Sequence, residues 1–312
     1  VITARAGTPL AELEAALAAK GQCLPFEPPH FSPGATVGGM VAAGLSGPAR
    51  ASVGAVRDYV LGVSLINGKA EPLTFGGQVM KNVAGYDVSR LMVGSWGTLG
   101  LLTEVSLKVL PVAPAEATLR FECNQADALR KLHAWGGQPL PLNASCWVQD
   151  GGVGTLYVRL RGAVAAVQAA CKTMGGTLLD NATTAPDWSA CRDHTLPWFA
   201  QRAQQPDLAL WRLSLPATAP VLPLPAAAQP LVEWHGALRW VQAPASAGDA
   251  LRAAAEAVGG SASVFVAASA DPESASGQFD PKSAALAQIH ARVKQAFDPA
   301  GIFNPGRLAA AW

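Results

Sequence analysis

Hydrophobic residues follow a helical period near the start of the chain and an extended period soon after it. Three leucines at helical spacing predict a helix behind a β-prone start: Leu10, Leu13 and Leu17. Apolar runs at 60–66 and 70–75 flank an Asn-Gly dipeptide, which is the strongest short-range signal for a β-hairpin. Alternating residues at 105–109 predict a further strand. The first third of the chain therefore mixes helix and antiparallel sheet.

The middle of the chain repeats one order of elements. Strands are predicted at 118–122, 144–148, 156–160 and 177–179, with helices after Asn124 and from Val164. This β-α-β-β-α-β order is that of a split ferredoxin-like unit. A second copy follows at 208–266, in which a proline-rich loop replaces the first helix. The two copies are expected to share one antiparallel sheet.

The end of the chain returns to a helical period. Four apolar residues share one face of the predicted helix: Leu286, Ile289, Val293 and Phe297. Asp298-Pro299 ends that helix, and residues 301–307 form a structured turn. With a boundary at the prolines after residue 110, the pattern predicts domains at 1–112 and 113–280 and a C-terminal segment at 281–312.

Composition narrows the classes of function. The chain has 312 residues, of which 50% are hydrophobic, enough for two domains with sizeable cores. Its 23 basic and 22 acidic residues give a net charge of +1 without a Lys/Arg run, so nucleic acid is not an expected partner. No apolar run is long enough to span a bilayer. The five cysteines lack a CxxC pair, which favours buried thiols over disulfides or a metal site.

Two glycine-rich segments carry the main chemical signal. They are PGATVGGMVAAG at 33–44 and GSWGTLG at 94–100. Glycines allow close backbone approach, and exposed amides at a turn that opens a helix bind anions, a diphosphate for example. A tight helix-packing turn without any ligand is an equally good interpretation of the first segment alone, and a plain helix-to-strand connection is the alternative for the second. Two such segments in one domain favour one extended ligand. In a third segment, Lys81, Tyr86 and Asp87 either contact a ligand, cap local helices or lie in a solvated turn.

Four runs of sequence add a family resemblance. They are EPPH at 27–30, ATVGGMVA at 35–42, VRDYVLG at 56–62 and FGGQVMKNVAGYD at 75–87. Together with the ending at 297–307, they resemble FAD-linked oxidases of the vanillyl-alcohol oxidase type. Within that group the chain is most similar to the FAD-binding subunits of bacterial glycolate oxidases. The similarity spans essentially the whole chain and thins between 113 and 280.

The resemblance implies an α+β fold. A PCMH-type FAD-binding domain, truncated at its N-terminus, would be joined to a cap domain whose antiparallel sheet is built from ferredoxin-like units. The 36–44 loop would face the diphosphate and ribityl chain of FAD, and 94–102 would line the same channel. The residues implied to bind FAD are Pro33, Gly34, Ala35, Thr36, Gly38, Gly39, Ala43, Gly44, Gly94, Ser95, Gly97, Thr98, Gly100, Leu102, Asn304 and Arg307.

Three departures from the family weaken the inference of catalysis. A further glycine-rich loop of the family precedes the region where this chain begins, so part of the diphosphate cradle is expected to be missing. Many relatives carry Glu where this chain has Trp96. The family's clustered histidine motif has no counterpart, because the histidines are scattered: His30, His133, His194, His235 and His290. Arg192-Asp193-His194 is a candidate set of base and cation, and a charged surface loop is its simpler interpretation.

Oxidation of a small 2-hydroxy acid needs a base for the hydroxyl and a cation for the carboxylate. The sequence offers no convincing set, so the catalytic residues stay unassigned. The resemblance implies a subunit that holds FAD for oxidation or electron relay in a glycolate oxidase complex. Its partners would be a sister flavoprotein subunit and an iron-sulfur subunit, in the cytoplasm or on the inner membrane through the complex. Two alternatives stay open: an assembly subunit with an empty flavin groove, and an independent FAD enzyme.

Overall fold

The chain divides into two compact units, each with its own core. The computed structural model describes residues 1–79, 85–150, 152–225, 228–270, 283–309 and 312. Unit 1 comprises 1–47, 54–112 and 281–312, and unit 2 comprises 48–53 and 113–280. The sequence pattern does not predict that 48–53 belong to unit 2. Within the described residues, no helix has the length and apolar character needed to cross a membrane.

Unit 1 is built on a four-stranded antiparallel sheet. Its strands are β1 (Ile2–Arg5), β2 (Gln22–Cys23), β3 (Val60–Ile66), β4 (Pro72–Gly76), β5 (Leu101–Leu107) and β6 (Leu110–Pro111). Its helices are α1 (Leu10–Ala18), α2 (Val37–Ala43), α4 (Val88–Met92) and α10 (Ala284–Phe297). The order in the sheet is β1-β5-β3-β4, and strands β2 and β6 pair separately.

The apolar pattern of unit 1 correctly predicts its first and its last helix. The three leucines of α1 are buried in one core with Val105 and Leu107 of β5. In α10, Val293 and Phe297 pack against that core. Leu286 and Ile289 are 45% and 56% exposed, so the first half of this apolar face is open to solvent.

The hairpin of unit 1 forms where the sequence predicts it, with a longer turn. Strands β3 and β4 pair from Gly62↔Gly76 to Ile66↔Pro72. The turn is closed by the Asn67 side chain, whose Oδ1 accepts from the amides of Lys69 and Glu71 at 2.9 and 3.0 Å. This local competition by a short polar side chain explains why β4 begins later than the apolar run predicts.

Unit 2 is built on an eight-stranded antiparallel sheet. Its strands are β7 (Ala115–Glu122), β8 (Leu142–Asp150), β9 (Val153–Gly162), β10 (Thr177–Leu179), β11 (Leu208–Ser214), β12 (Leu231–Glu233), β13 (Leu238–Pro244) and β14 (Ser261–Val266). Its helices are α3 (Arg50–Val53), α5 (Gln125–Gly136), α6 (Val164–Met174), α7 (Asn181–Arg192), α8 (Pro197–Ala200) and α9 (Gly248–Glu256). The order in the sheet is β10-β7-β9-β8-β12-β13-β11-β14.

The strand order confirms two ferredoxin-like units in one sheet. The first contributes β10-β7-β9-β8, and the second contributes the same order reversed, β12-β13-β11-β14. The units meet at β8 and β12, where Val232 pairs with Trp147 and Glu233 with Cys146. Each copy thus leaves its second strand at an edge, and the two edges pair with each other.

The hydrophobic pattern does not predict two features of unit 2. In the second copy, the fully buried Arg239 side chain holds the proline-rich loop by donating to the carbonyl oxygens of Ala219 and Pro220 at 2.7 and 2.5 Å. Helix α7 contains Pro186 in its interior, a residue that ordinarily predicts a helix break. For that reason the pattern does not predict this helix.

Candidate functional site

The first glycine segment opens helix α2 and is tied to the start of the chain. Thr36 is the N-cap, and its Oγ1 accepts from the amide of Gly39 at 3.1 Å. The amide of Val37 donates to Thr8 O at 3.0 Å, and that of Gly38 donates to Ala6 O at 2.7 Å. The amides of Val37, Gly38 and Gly39 thus already donate hydrogen bonds within the protein. They are therefore not the exposed donors that the glycine pattern predicts for a diphosphate.

The second glycine segment packs directly on the end of α2. The amide of Gly94 donates to Val41 O at 3.1 Å, and the amide of Trp96 donates to Ala42 O at 2.9 Å. Gly44 has a positive φ of 65°, and a Cβ at this position would lie 2.8 Å from the backbone nitrogen of Gly94. The structure thus brings together the two segments that the sequence singled out separately.

We expect Gly44→Val to destabilise unit 1 by about 2–4 kcal/mol, because it combines a left-handed backbone with overpacking. The measurement is urea unfolding, read out by hydrogen exchange of unit 1. Gly7→Ala is the matched control, since Gly7 has no positive φ and nothing lies within 4 Å of its added Cβ. Equal stability of the two variants would show that the contact between Gly44 and Gly94 tolerates a side chain.

The C-terminal segment returns to the second glycine turn. Asn304 Nδ2 donates to the carbonyl oxygen of Trp96 at 2.7 Å. The Arg307 guanidinium lies over the Trp96 ring, 4.7 Å from its centroid. Trp96 itself has a positive φ of 52°. The residue that departs from the family pattern is therefore the one that receives both predicted C-terminal residues.

A buried ion pair that the sequence analysis missed fixes this return. Lys294 Nζ donates to Thr98 O at 2.8 Å, to Asp298 Oδ2 at 2.6 Å and to Phe303 O at 2.9 Å. Burial alone would raise the pKa of Asp298, but hydrogen bonds from Lys294 and the amides of Phe303 and Ile302 hold it below its ordinary value. In the sequence, the i, i+4 spacing of Lys294 and Asp298, just before Pro299, is the pattern that could have indicated this ion pair.

The predicted FAD-binding residues differ in exposure. Exposed members are Pro33, Gly34, Gly39, Asn304 and Arg307, and partly buried ones are Ala35, Thr36, Ala43, Gly44, Gly94, Gly97 and Leu102. Buried members are Gly38, Ser95, Thr98 and Gly100. The Thr98 hydroxyl donates to Ser95 O at 2.7 Å, so it serves the turn itself.

The third predicted segment is only partly described. Lys81 lies outside the described residues. Asp87 caps α4 by accepting from the amide of Arg90 at 3.0 Å, and Tyr86 is 98% exposed. The structural role of Asp87 thus follows the helix-capping interpretation.

In unit 2, the Arg192-Asp193-His194 cluster is half-buried rather than a solvated surface loop. Arg192 and Asp193 form a two-point ion pair with each other, at 2.9 and 2.7 Å. The His194 ring stacks on Phe199 at 4.6 Å and meets the edge of Trp240 at 4.6 Å. Burial, with the nearby positive charge of Arg212, lowers the pKa of His194 to about 4. This histidine is a neutral member of an aromatic core.

A second histidine of unit 2 lies between two hydroxyl groups. His235 Nδ1 and backbone nitrogen are each 3.0 Å from Ser145 Oγ, and Nε2 is 2.9 Å from Ser52 Oγ. Burial lowers the pKa of His235 to about 4, so its ring is neutral at neutral pH. The sequence analysis treated each histidine alone, and nothing in the pattern links 52, 145 and 235.

Unit 2 also contains a cavity of about 400 Å³ with aromatic walls. Its lining includes Tyr157, Trp188, Trp198 and two buried thiols, Cys146 and Cys191. Contact with the Cys146 thiol and burial raise the pKa of Cys191. None of the described residues lining the cavity is a Lys, Arg or His. The cavity therefore offers no cation to a carboxylate.

The three remaining histidines lie apart from one another, each in a different environment. His30 pairs with Glu14 at 2.9 Å, His290 lies edge-on to Trp312, and His133 is exposed on α5. Within the described residues, no three His, Cys, Asp or Glu side chains are grouped so as to hold a metal ion.

Comparison with known proteins assigns the class. Residues 1–76 match the family model described as FAD binding domain. A solved alkyldihydroxyacetonephosphate synthase superposes with a TM-score of 0.67 over 97% of this chain and 64% of that one, at 16% identity. That likeness concerns the fold alone, and together with the match to the FAD binding domain it confirms the α+β fold class expected from the sequence. The class is thus that of the FAD-linked oxidoreductases, and its cofactor is FAD.

The curated relatives narrow the family. The chain is 46% identical over 310 residues to "Glycolate oxidase subunit GlcE" of Escherichia coli (strain K12), covering 99% of this chain and 82% of that protein. It is 34% identical over 126 residues to "Glycolate oxidase subunit GlcD" of Bacillus subtilis (strain 168), covering 40% of this chain and 27% of that one. The chain belongs to the GlcE family of glycolate oxidase subunits.

Proposed function

We propose that this chain is the FAD-binding subunit of a multi-subunit complex that oxidises glycolate or a related small 2-hydroxy acid. The observation that carries the proposal is the convergence in unit 1 of both glycine segments and the C-terminal residues around Trp96. The amide of Trp96 binds the end of α2, and its carbonyl oxygen binds Asn304. Three segments far apart in sequence thereby form one continuous wall.

The feature of the wall that suits a flavin nucleotide is the open space at its glycines, and not the amides at the start of α2. Gly34 is exposed, and only Ser32 Oγ lies within 4 Å of a Cβ added there, at 3.9 Å. A Cβ added at Gly94 would meet nothing within 4 Å. A ligand can therefore approach the backbone closely at both positions. The exposed guanidinium of Arg307 supplies a positive charge on the same wall.

FAD, when bound, supplies the redox chemistry by accepting the electrons of the hydroxy acid. The contribution of this chain is to hold and orient the cofactor. Arg307, stacked on Trp96, is suited to a phosphate oxygen, and Asn304 fixes the turn against which the cofactor would lie. The complex would include a sister flavoprotein subunit and an iron-sulfur subunit, in the cytoplasm or on the inner membrane through those partners.

The test is the visible spectrum of the purified chain after loading with FAD and desalting. We expect flavin absorbance to remain with the native chain, and we expect the affinity for FAD to fall at least 10-fold in Arg307→Gln, as for loss of a charged hydrogen bond. Arg90→Gln, an exposed arginine of the same unit, is the matched control. A colourless native chain, or equal loss in both variants, would contradict the assignment of the wall.

One observation favours the alternative of an assembly subunit without flavin. The amides of Val37, Gly38 and Gly39 are already bonded within the protein, which leaves fewer donors for a diphosphate. Copurification with the sister subunit decides between the two. A chain that joins the complex without flavin is an assembly subunit, whereas a flavin reduced by glycolate in the isolated chain shows direct oxidation rather than relay.

A further inference from the structure

The cavity of unit 2 has the size of a ligand-binding site. Its volume of about 400 Å³ lies within the range of pockets that hold small molecules. Strands β7, β8 and β9 contribute Thr118, Cys146 and Tyr157, and helices α7 and α8 contribute Trp188 and Trp198. All the residues that line the cavity belong to unit 2. Its chemistry can therefore be derived from this unit alone.

The walls of the cavity are mainly aromatic and aliphatic. Trp188 and Trp198 are 6% and 8% exposed, and Tyr157 is half-buried. Val148 and Leu196 add aliphatic surface. Aromatic rings pack against one another in offset and edge-to-face contacts. Three rings from three different elements therefore favour a ligand that itself contains a flat ring.

The charges around the cavity disfavour an anion. Among the described lining residues, Asp187 is the one that carries a charge, and it is exposed. The Arg159 guanidinium lies 4.9 Å from the centroid of the Trp188 ring, but Arg159 does not line the cavity, and its Nε donates to Asn143 Oδ1 at 2.7 Å. A carboxylate in the cavity would therefore lose water without contacting a cation.

A buried hydroxyl group in the lining has a proton to donate. Thr118 is 1% exposed, and its Oγ1 accepts from Trp188 Nε1 at 3.0 Å. An indole N–H is a donor only, so this bond does not use the hydroxyl proton of Thr118. Over the described ranges of the chain, no acceptor takes up that proton. Because a buried donor without an acceptor costs free energy, an acceptor atom of a ligand would stabilise the site.

Two other polar side chains of the lining already donate within the protein. Thr184 Oγ1 donates to the carbonyl oxygen of Asp180 at 3.2 Å, and Gln149 Nε2 donates to that of Gly152 at 3.1 Å. Gln149 is also exposed, whereas Thr118 is buried. Thr118 is thus the group best suited to donate a hydrogen bond to an oxygen atom inside the cavity.

We propose that this cavity binds a small neutral aromatic compound whose carbonyl oxygen accepts a hydrogen bond from Thr118. The aromatic walls select the ring, the unused donor selects the oxygen, and the lack of a cation in the described lining selects against a carboxylate. The exposed side chains of Asp187 and Gln201 mark the side open to solvent. The site requires neither flavin nor a hydroxy acid, so it goes beyond the proposed function.

The test is titration of the full chain with four compounds of similar size: acetophenone, ethylbenzene, benzoate and benzylammonium. Isothermal titration gives the affinities, and the nuclear magnetic resonance signal of the Trp188 indole N–H, identified by its loss in Trp188→Phe, locates the binding. We expect acetophenone to bind about 3-fold to 10-fold more tightly than ethylbenzene, as for one neutral hydrogen bond. The two ions should bind about 10-fold more weakly than acetophenone or worse, because burial removes water from their charges.

Variants test the two parts of the site separately. Thr118→Val keeps the shape of the side chain and should abolish the preference for acetophenone over ethylbenzene, whereas Thr118→Ser keeps the hydroxyl group and should retain it. Leu196→Trp fills the cavity and should weaken acetophenone binding about 10-fold or more. Leu178→Trp is the matched control, because Leu178 is 61% exposed and does not line the cavity. Circular dichroism shows whether each variant is folded.

Several results would overturn the proposal. Without saturable binding of acetophenone, the cavity holds water only. Equal affinities for acetophenone and ethylbenzene, or an unchanged preference in folded Thr118→Val, would remove the role of Thr118. Tighter binding of benzoate or of benzylammonium would assign the cavity to an ion instead. The comparison of the four compounds uses the native chain, so it decides the matter even if a variant does not fold.

Discussion

Replacing Lys294 by methionine is expected to lower the free energy of unfolding of unit 1 by about 3–5 kcal/mol, the cost of leaving a buried charge without its partner. The Lys294 and Asp298 side chains are 7% and 0% exposed. Without the ammonium group, the Asp298 carboxylate keeps the amides of Ile302 and Phe303 as its donors among the described residues. The carbonyl oxygens of Thr98 and Phe303 also lose a donor, so the second glycine turn should loosen with the C-terminal segment.

The measurement is chemical denaturation combined with hydrogen exchange of residues 94–100 and 298–305. Faster exchange in both segments, with unit 2 unaffected, is the expected pattern. Arg130→Met supplies the contrast, because it removes an exposed ion pair with Asp127 and such pairs contribute only about 0–1 kcal/mol. A similarly small change in Lys294→Met would mean that water replaces the ammonium group.

Unit 2 is expected to lose stability as the pH falls from 6.5 towards 4. His194 and His235 have ordinary pKa values of 6.5 when unfolded and about 4 when folded. In that window the unfolded state binds more protons than the folded state, so stability rises with pH and levels off above 6.5. Each histidine contributes roughly 3 kcal/mol across the window. Asp298 of unit 1 has a lowered pKa, and its contribution is lost in more acidic solution.

Urea unfolding of unit 2 at several pH values, followed by tryptophan fluorescence, tests this dependence. His194→Phe keeps an aromatic ring beside Phe199 and Trp240 and should remove about half of the slope. His133→Asn, at an exposed position, should leave the slope unchanged. A pH-independent stability of the native unit 2 would mean that the buried rings accept protons without cost.

Periodicity was sufficient for most of the fold. The ferredoxin-like order could be predicted because its strands and helices are amphipathic and glycine-rich or proline-rich segments separate them. Helix α7 was missed because Pro186 interrupts its pattern. In α10, Leu286 and Ile289 have the same spacing as Val293 and Phe297, yet the first pair is exposed and the second packs against the core. Spacing shows that residues share a face and does not show what covers that face.

The candidate sites were less accessible to sequence reasoning. The glycine segments were identifiable because close backbone approach restricts the residue type to glycine. Whether their amides face a ligand or the protein depends on partners such as Ala6 and Thr8, which no local pattern reveals. The hydrogen bond between Ser52 and His235 joins residues that are 183 positions apart. Neither residue has sequence neighbours that would indicate this contact.

Helix α3 has a consequence for the timing of biosynthesis. It belongs to unit 2, although residues 54–112, which follow it, belong to unit 1. Ser52 leaves the ribosome 183 residues before His235, an interval of roughly 10–40 s at ordinary rates of translation. During that interval Arg50 and Ser52 are joined to the folding unit 1 before their contact residues, Trp234 and His235, have been synthesised. Substitutions in α3 should therefore affect a late step of maturation, after both ferredoxin-like halves have emerged, and leave early folding yields unchanged.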